Sequence, residues 1–359
     1  MKDSLNSALN RPVAGKDLLT GLPDISQSIS EFMHQQLPPA SHPLGPAAHH
    51  HFKSMGKQIR ARMALTAGES MDVPRPAALC WAAAVEMLHN ASLVHDDISD
   101  GDKIRRGQPS VWACFGRDTA LALGDWLIAL SFELAAKAGQ AGSAPQLVSL
   151  LSRHMAATTT GQALEFQMGV YPDWSRYLEI STGKTAPLFI APAEGIAHLA
   201  GRHDLIEPLH HFFTAAGGCY QIANDILNVI GKDGAASPAS DLIRRAPNAV
   251  IVMFRTTLDR LMAARFERWL ASGRTDNAAE WQELLQKSPA LSMASSALMQ
   301  MLDEAESSSL RFPADCIGVI MPIHEQLRHV CSGLSCPASN SVAQTKRIKE
   351  RKLAGVLVR

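Results

Sequence analysis

The run His95-Asp96-Asp97-Ile98-Ser99-Asp100 puts three carboxylates within five residues at the end of an apolar stretch with helical spacing. Asp96 and Asp100 are one turn apart and share a face. Unpaired, such acids repel one another and oppose the negative end of the helix dipole. A hard divalent cation relieves both costs. Magnesium, which takes oxygen ligands and joins one or two carboxylates to a substrate phosphate, suits the pair Asp96 and Asp100. Five residues on, beyond Gly101, comes Arg105-Arg106-Gly107. Carboxylates that hold metal and guanidiniums that fork onto phosphate oxygens are complementary halves of a diphosphate clamp. A solvated acidic helix end or a surface salt-bridge cluster accounts for either half alone, and less well for both together.

These groups need rigid elements behind them, and the spacing of apolar residues predicts helices nearly throughout. Leu209, Phe212, Phe213, Ala216, Tyr220, Ala223 and Leu227 lie along one helical face. Further helices are expected near 56–69, 76–98, 117–138, 145–169, 174–200, 248–270 and 290–309, separated by Gly, Pro and Ser clusters such as 139–145 and 231–240. Strand signals are almost absent, so the expected architecture is a large all-α bundle. The stretch 37–51, rich in Pro, Gly and His, reads as a loop, and its His49-His50-His51 triplet as solvated rather than metal-binding. The expected organisation is a flexible segment over 1–23, one helical domain over 24–336, and a basic tail over 337–359 carrying Lys346, Arg347, Lys349, Arg351 and Lys352.

Lys+Arg and Asp+Glu both number 34, so no global field gathers nucleic acid or an acidic surface, and any anion site is local. The six cysteines contain no CxxC pair and several sit in apolar helical patterns, which suits a reducing cytoplasm. The first thirty residues carry no secretory pattern, and no stretch reads as the roughly 18 apolar residues of a membrane span. Trp112, Trp126 and Trp174 are expected in the core or at an interface.

In order along the chain, Gly56-Lys57-Gln58-Ile59-Arg60, the helix from Glu86 to Asp97, Arg105 to Trp112, Gly124-Asp125, Gly161-Gln162, Gly183-Lys184-Thr185 and Tyr220 to Asp225 resemble the motifs of the trans-isoprenyl diphosphate synthases, the polyprenyl synthetase family. The resemblance runs from about 56 to 252. It implies the type I isoprenoid synthase bundle around a central apolar cavity, and the joining of an allylic diphosphate to isopentenyl diphosphate. By the same resemblance, Lys57, Arg60, His89 and Arg106 bind isopentenyl diphosphate, while Arg105, Lys184, Thr185 and Gln221 steady the allylic diphosphate. Asp96, Asp97, Asp100 and Lys184 form the catalytic set, and Asp96, Asp100 and Asp225 hold about two or three magnesium ions. A homodimer is also implied.

One turn before Asp96 stand Ala91 and Ser92, where short-product members of the family often carry aromatic plugs. Leu88 and Val85, roughly two and three turns deeper, are the candidate floor, so geranylgeranyl diphosphate or a longer product is expected. The second acidic motif departs from the family's DDxxD: it reads Asn224-Asp225-Ile226-Leu227-Asn228, and the family's lysine shortly before Asp241-Leu242 is missing, with Arg244 or Arg245 as candidate substitutes. Ala61 stands where the family has proline. A cyclase of the same fold, or a non-catalytic regulatory subunit, are the competing readings.

Overall fold

The computed structural model describes residues 22–166, 170–232 and 238–309, with a few positions between 311 and 327. The described chain runs α1 Leu22–Gln36, α2 Gly45–Phe52, α3 Ile59–Ser70 and α4 Arg75–Asp100, then a short ribbon of β1 Ile104–Arg105 and β2 Gln108–Pro109. There follow α5 Val111–Phe115, α6 Arg117–Ala141, α7 Leu147–Phe166, α8 Trp174–Thr185, α9 Pro187–Leu199 and α10 Ile206–Val229. The last elements are α11 Ser240–Arg244, α12 Ala249–Thr257, α13 Arg260–Ser272, α14 Ala278–Lys287 and α15 Ala290–Ser309. Of the expected terminal segments, 1–21 and 337–359 lie outside the described residues, as do 167–169 and Cys316, Cys331 and Cys336.

The helix at the centre is α9, buried from Pro187 to Ala197 and apolar over that stretch except for Glu194, as a helix with no solvent face tends to be. It packs on α3, α4, α7 and α10, while α4 packs most extensively on α6 and α10 on α15. Trp81 on α4 lies flat against Gly195, where any side chain would overlap its indole, and donates its ring N–H to the carbonyls of Ala191 at 3.2 Å and Pro192 at 3.1 Å. Trp81, Phe189, Phe212 and Phe213 are fully buried, each such side chain being worth about 1.5–3 kcal/mol of transfer free energy. Beyond this core, Phe254, Phe266, Trp269 and Trp281 tie α12, α13 and α14 together, with Phe266 and Trp281 ring centroids 4.7 Å apart.

Several expectations need correction. The stretch 37–51 is not all loop: Pro46 opens α2, which buries Ala47, Ala48, His51 and Phe52. The histidines there are not solvated as a set, since each meets its own partner: His49 meets the Pro38 carbonyl, His50 the Pro109 carbonyl, and His51 the Asn90 side chain at 3.0 Å. Burial pushes His51 down to about 4. The stretch 174–200 breaks at Ala186, where Pro187 takes the first turn of α9. The stretch 248–270 breaks at Asp259, whose carboxylate caps α13 by accepting from the N–H groups of Leu261 and Met262. Among the described residues, two helices, α4 and α6, are long and apolar enough by composition to cross a bilayer, as core helices of this length also are; α4 is largely buried in the bundle, and its polar end forms the cleft described next.

Candidate functional site

The first wall of the cleft is the C-terminal end of α4. Gly101, at φ 71°, ends the helix in the left-handed conformation, and the N–H of Asp102 reaches back 2.9 Å to the Asp97 carbonyl. The chain then reverses through Arg106 (φ 52°) and Gly107 (φ 76°), which join β1 to β2 and send two adjacent arginines apart. Arg105 turns back onto Asp97, its Nε donating to Oδ1 at 2.8 Å and its Nη2 to the same oxygen. Arg106 reaches the other way, and its Nη1 donates to the Ser54 carbonyl at 2.6 Å. Gly56 (φ 65°) leaves room for that guanidinium, which lies against its backbone.

Asp96 and Asp97 are neighbours with different surroundings. Asp97 is 1 % exposed, paired with Arg105 through Oδ1, and its Oδ2 is buried without a partner among the described residues. Asp96 is half-buried, and among the described residues no hydrogen bond or ion pair engages it. Burial chiefly, opposed by the charge of Lys184 and reinforced by Asp100, pushes Asp96 up to about 6. A carboxylate taken partly out of water without a donor is what a cation would satisfy, so Asp96 and Asp100 fit a magnesium ion.

Across the cleft, α7 and α8 supply Lys184. Asp173 caps α8 by accepting from the Arg176 N–H at 2.8 Å, and Lys184 stands in its last turn, where the helix dipole favours a cation. Gly161 lets α7 lie directly on the backbone of Gly183 and Lys184: a Cβ there would meet Lys184 N and come 2.5 Å from the Gly183 carbonyl carbon. That approach brings Glu165 to Lys184, whose Nζ donates to Oε2 at 3.0 Å. Burial works against the lysine's charge, but Asp96 and Glu165 outweigh it and its pKa rises. Sequence reading did not single out Glu165. Its signal was an acid three residues after Gln162, and Gln162 itself has both amide atoms buried without a partner among the described residues.

The third wall is α10 with α11. Gln221 accepts from Thr185 Oγ1 at 3.3 Å and donates to Asp225 Oδ1 at 2.8 Å. Asp225 is 2 % exposed, and its Oδ2 accepts from the Tyr177 hydroxyl at 2.6 Å and the Ala249 N–H at 2.7 Å. Burial first, with Asp241 adding to it, pushes Asp225 up to about 7. Both oxygens of Asp225, the residue expected as a metal ligand, therefore accept from protein donors, so a cation there would have to share them. Asn228 is likewise internal, donating to Ser240 Oγ at 2.8 Å and accepting from the Asp241 N–H at 3.3 Å. Of the two arginines offered as substitutes for the missing lysine, Arg245 is an anchor, stacked 4.8 Å over Trp269 and bonded to the Leu270 carbonyl. Arg244 faces the cleft, with Asp241 Oδ1 at 2.7 Å, Asp102 Oδ1 at 3.5 Å and Asp100 Oδ2 at 3.6 Å. Asp100, Glu165, Lys184, Gln221, Asp241 and Arg244 line a cleft of about 170 Å³.

A second, mainly basic region lies two turns back along α4. Arg60, half-buried on α3, stacks 4.6 Å over Phe189. His89 is half-buried, and burial followed by the charges of Arg60, Arg106, Arg105 and His51 holds it well below the usual imidazole range. Arg60, His89 and Arg106 thus converge on one region beside the buried Glu86, which accepts from the Ala61 N–H at 3.1 Å. Lys57 is exposed in the turn that leads to them.

The sequence model of the family described as polyprenyl synthetase matches residues 42–288. An all-trans-nonaprenyl-diphosphate synthase (geranyl-diphosphate specific) of Rhodobacter capsulatus is 31% identical over 67% of this chain and 75% of its own length. A geranylgeranyl diphosphate synthase of Saccharolobus solfataricus is 32% identical over 58% of this chain and 64% of its own. Among solved structures, a geranylgeranyl pyrophosphate synthetase from Pyrococcus horikoshii superposes with a TM-score of 0.72 at 26% identity, covering 85% of this chain and 95% of that one. A polyprenyl synthase from Caulobacter crescentus complexed with calcium and isoprenyl diphosphate shares the fold, with a TM-score of 0.76 at 24% identity over 86% of this chain and 95% of that one. The chain belongs to the polyprenyl synthetase family, the prenyltransferases that make isoprenyl diphosphates.

Proposed function

We propose that the protein joins an allylic diphosphate to isopentenyl diphosphate, releasing inorganic diphosphate. The observation that carries this reading is the pairing on α4 of two unlike anion sites. One is acidic and suits metal (Asp96, Asp100). The other is basic and needs none (Arg60, His89, Arg106, with Lys57 at its mouth). Seven residues separate His89 from Asp96, about 10 Å along the helix, so two diphosphates can lie side by side. A cyclase that handles one diphosphate has no use for the basic site.

Asp96 and Asp100 would hold magnesium, which when bound supplies Lewis-acid stabilisation to the departing diphosphate. Lys184, fixed by Glu165, adds a cation beside Asp96, and Gln221 and Thr185 bound the same cleft. His89, held neutral, meets the phosphate of isopentenyl diphosphate as an N–H donor, while Arg60 and Arg106 bring full charges. The allylic carbon–oxygen bond breaks, the freed carbon joins the double bond of isopentenyl diphosphate, and the proton lost goes to the departing diphosphate. Because Arg105 is bound to Asp97, the pair shapes the first wall in this reading rather than entering the reaction. Ala91 and Ser92 leave no aromatic plug near Asp96, which favours geranylgeranyl diphosphate or a longer product. The reading includes a cytoplasmic location and a homodimer, the dimer supported by the exposed apolar side chains Phe115, Leu121 and Val148.

The test is incubation with magnesium and geranyl or farnesyl diphosphate, with and without isopentenyl diphosphate. A longer diphosphate formed only when isopentenyl diphosphate is present supports the reading. A hydrocarbon or alcohol formed without it supports a cyclase, and no product in either case supports a regulatory subunit.

A further inference from the structure

The two walls of the cleft differ in their fitness for metal, and the difference is built in. On α4, Asp96 has no hydrogen-bond donor among the described residues. On α10, Asp225 and Asn228 are both buried and both engaged by protein groups, Asn228 in holding the start of α11. The Asn228 amide fixes Ser240 and Asp241, Asn248 Nδ2 donates to Asp241 Oδ2 at 2.9 Å, and Arg245 pins the end of α11 over the Trp269 ring. The product of all this anchoring is one guanidinium, Arg244, held among carboxylates from both walls: Asp241 on its own, Asp100 and Asp102 on the other. A cation set between acids of two facing walls is the arrangement a bridging metal would make, here supplied covalently by the chain.

We propose that Arg244 takes the place of a metal ion on the α10–α11 side of the cleft, so that this chain binds its divalent ions through the α4 wall alone and meets the diphosphate opposite them with a guanidinium. On diphosphate entry, Arg244 exchanges Asp100 for phosphate oxygens, for which its planar fork is suited. The inference rests on the cleft being a diphosphate site, and its test separates the two.

The probes are Mn2+ and inorganic diphosphate, with the full chain, by counting bound Mn2+ through its electron spin resonance and measuring diphosphate affinity by calorimetry. In Arg244→Gln, three carboxylates lose their cation, and the variant is expected to bind about one more Mn2+ per chain than the unchanged protein. Its diphosphate affinity at limiting Mn2+ should fall about 10- to 100-fold, as for loss of a charge-assisted bond. Arg244→Lys, which keeps a cation, should keep the original Mn2+ count and guards against a glutamine variant that fails to fold. An unchanged Mn2+ count and diphosphate affinity in Arg244→Gln, or a raised count in Arg244→Lys, overturns the proposal. If the unchanged protein binds neither Mn2+ nor diphosphate, the diphosphate reading of the cleft falls with it.

Discussion

At Gly161 the fold leaves no room for a methyl group, and the atoms in the way belong to backbone. A Cβ would come 2.5 Å from the Gly183 carbonyl carbon and 2.8 Å from Lys184 Cα, besides meeting Lys184 N. No rotamer change relieves such an overlap, so in Gly161→Ala helices α7 and α8 must separate by about 1 Å to restore ordinary contact. Overpacking of that kind costs about 1–3 kcal/mol, partly offset by alanine's better helix propensity of roughly 1 kcal/mol. The net cost is then about 0–2 kcal/mol, and for a chain of this size the melting temperature should drop by no more than about 3 °C. Function should suffer more. The displaced atoms carry Lys184 away from Glu165 and Asp96, and misplacement by about 1 Å is expected to cost roughly 10²-fold in turnover. Gly183→Ala is the matched control, because its Cβ would meet only Gly161 Cα, at an ordinary 3.7 Å. Its activity should stay near that of the unchanged protein and its stability hold or rise. The assay is incorporation of labelled isopentenyl diphosphate, with melting followed by circular dichroism. Full activity in Gly161→Ala, or equal damage from both substitutions, would refute the argument that this helix contact positions Lys184.

Asp96→Ala should lower turnover by roughly 10³-fold through loss of the metal site. Removing a carboxylate that burial destabilises should leave the melting temperature unchanged or higher, and a variant that keeps most of its rate contradicts the metal role. His89→Ala should weaken binding of isopentenyl diphosphate by roughly tenfold in metal-free buffer while leaving Mn2+ binding alone, both read by calorimetry. Glu194, buried on α9, is pressed upward by desolvation, but His154 at 2.6 Å and His210 at 3.0 Å outweigh this and bring it down to about 2 from an ordinary 4.5. Its folded value being the lower one, the stability it contributes is whole above about pH 4.5 and is lost as pH falls toward 2, an amount of about 3 kcal/mol. Glu194→Gln should therefore flatten the acid arm of the stability curve over that window in urea titrations, and parallel curves would show that the histidines do not stabilise the carboxylate.

What could be read from the sequence was local. Asp96 and Asp100 sit one turn apart on a helix, and no tertiary information is needed to see that they share a face. The long helix through Leu209 and Leu227 was equally plain, because a 24-residue helix imposes its period on every apolar position. The roles of adjacent residues were not legible. Arg105 and Arg106 are the same residue type at consecutive positions, yet a left-handed turn sends one to Asp97 and the other to Ser54. Asp225 reads as an acid awaiting metal until Tyr177, 48 positions away in sequence, and Ala249, 24 away, close on it. In α2 the Pro, Gly and His residues mask the apolar Ala47, Ala48 and Phe52, because the buried face of a helix this short is decided by what α5 and α6 present to it. The break at Asp259 was in principle readable, since an Asp before Arg260 and Leu261 is an N-cap signal.

The central claim is that two diphosphates react with each other in this cleft. The most direct measurement is the ratio of inorganic diphosphate released to isopentenyl diphosphate consumed in a single magnesium-containing reaction. Condensation requires equal amounts. Release of diphosphate from the allylic substrate while isopentenyl diphosphate remains unspent would mean that the basic site on α4 serves some other purpose.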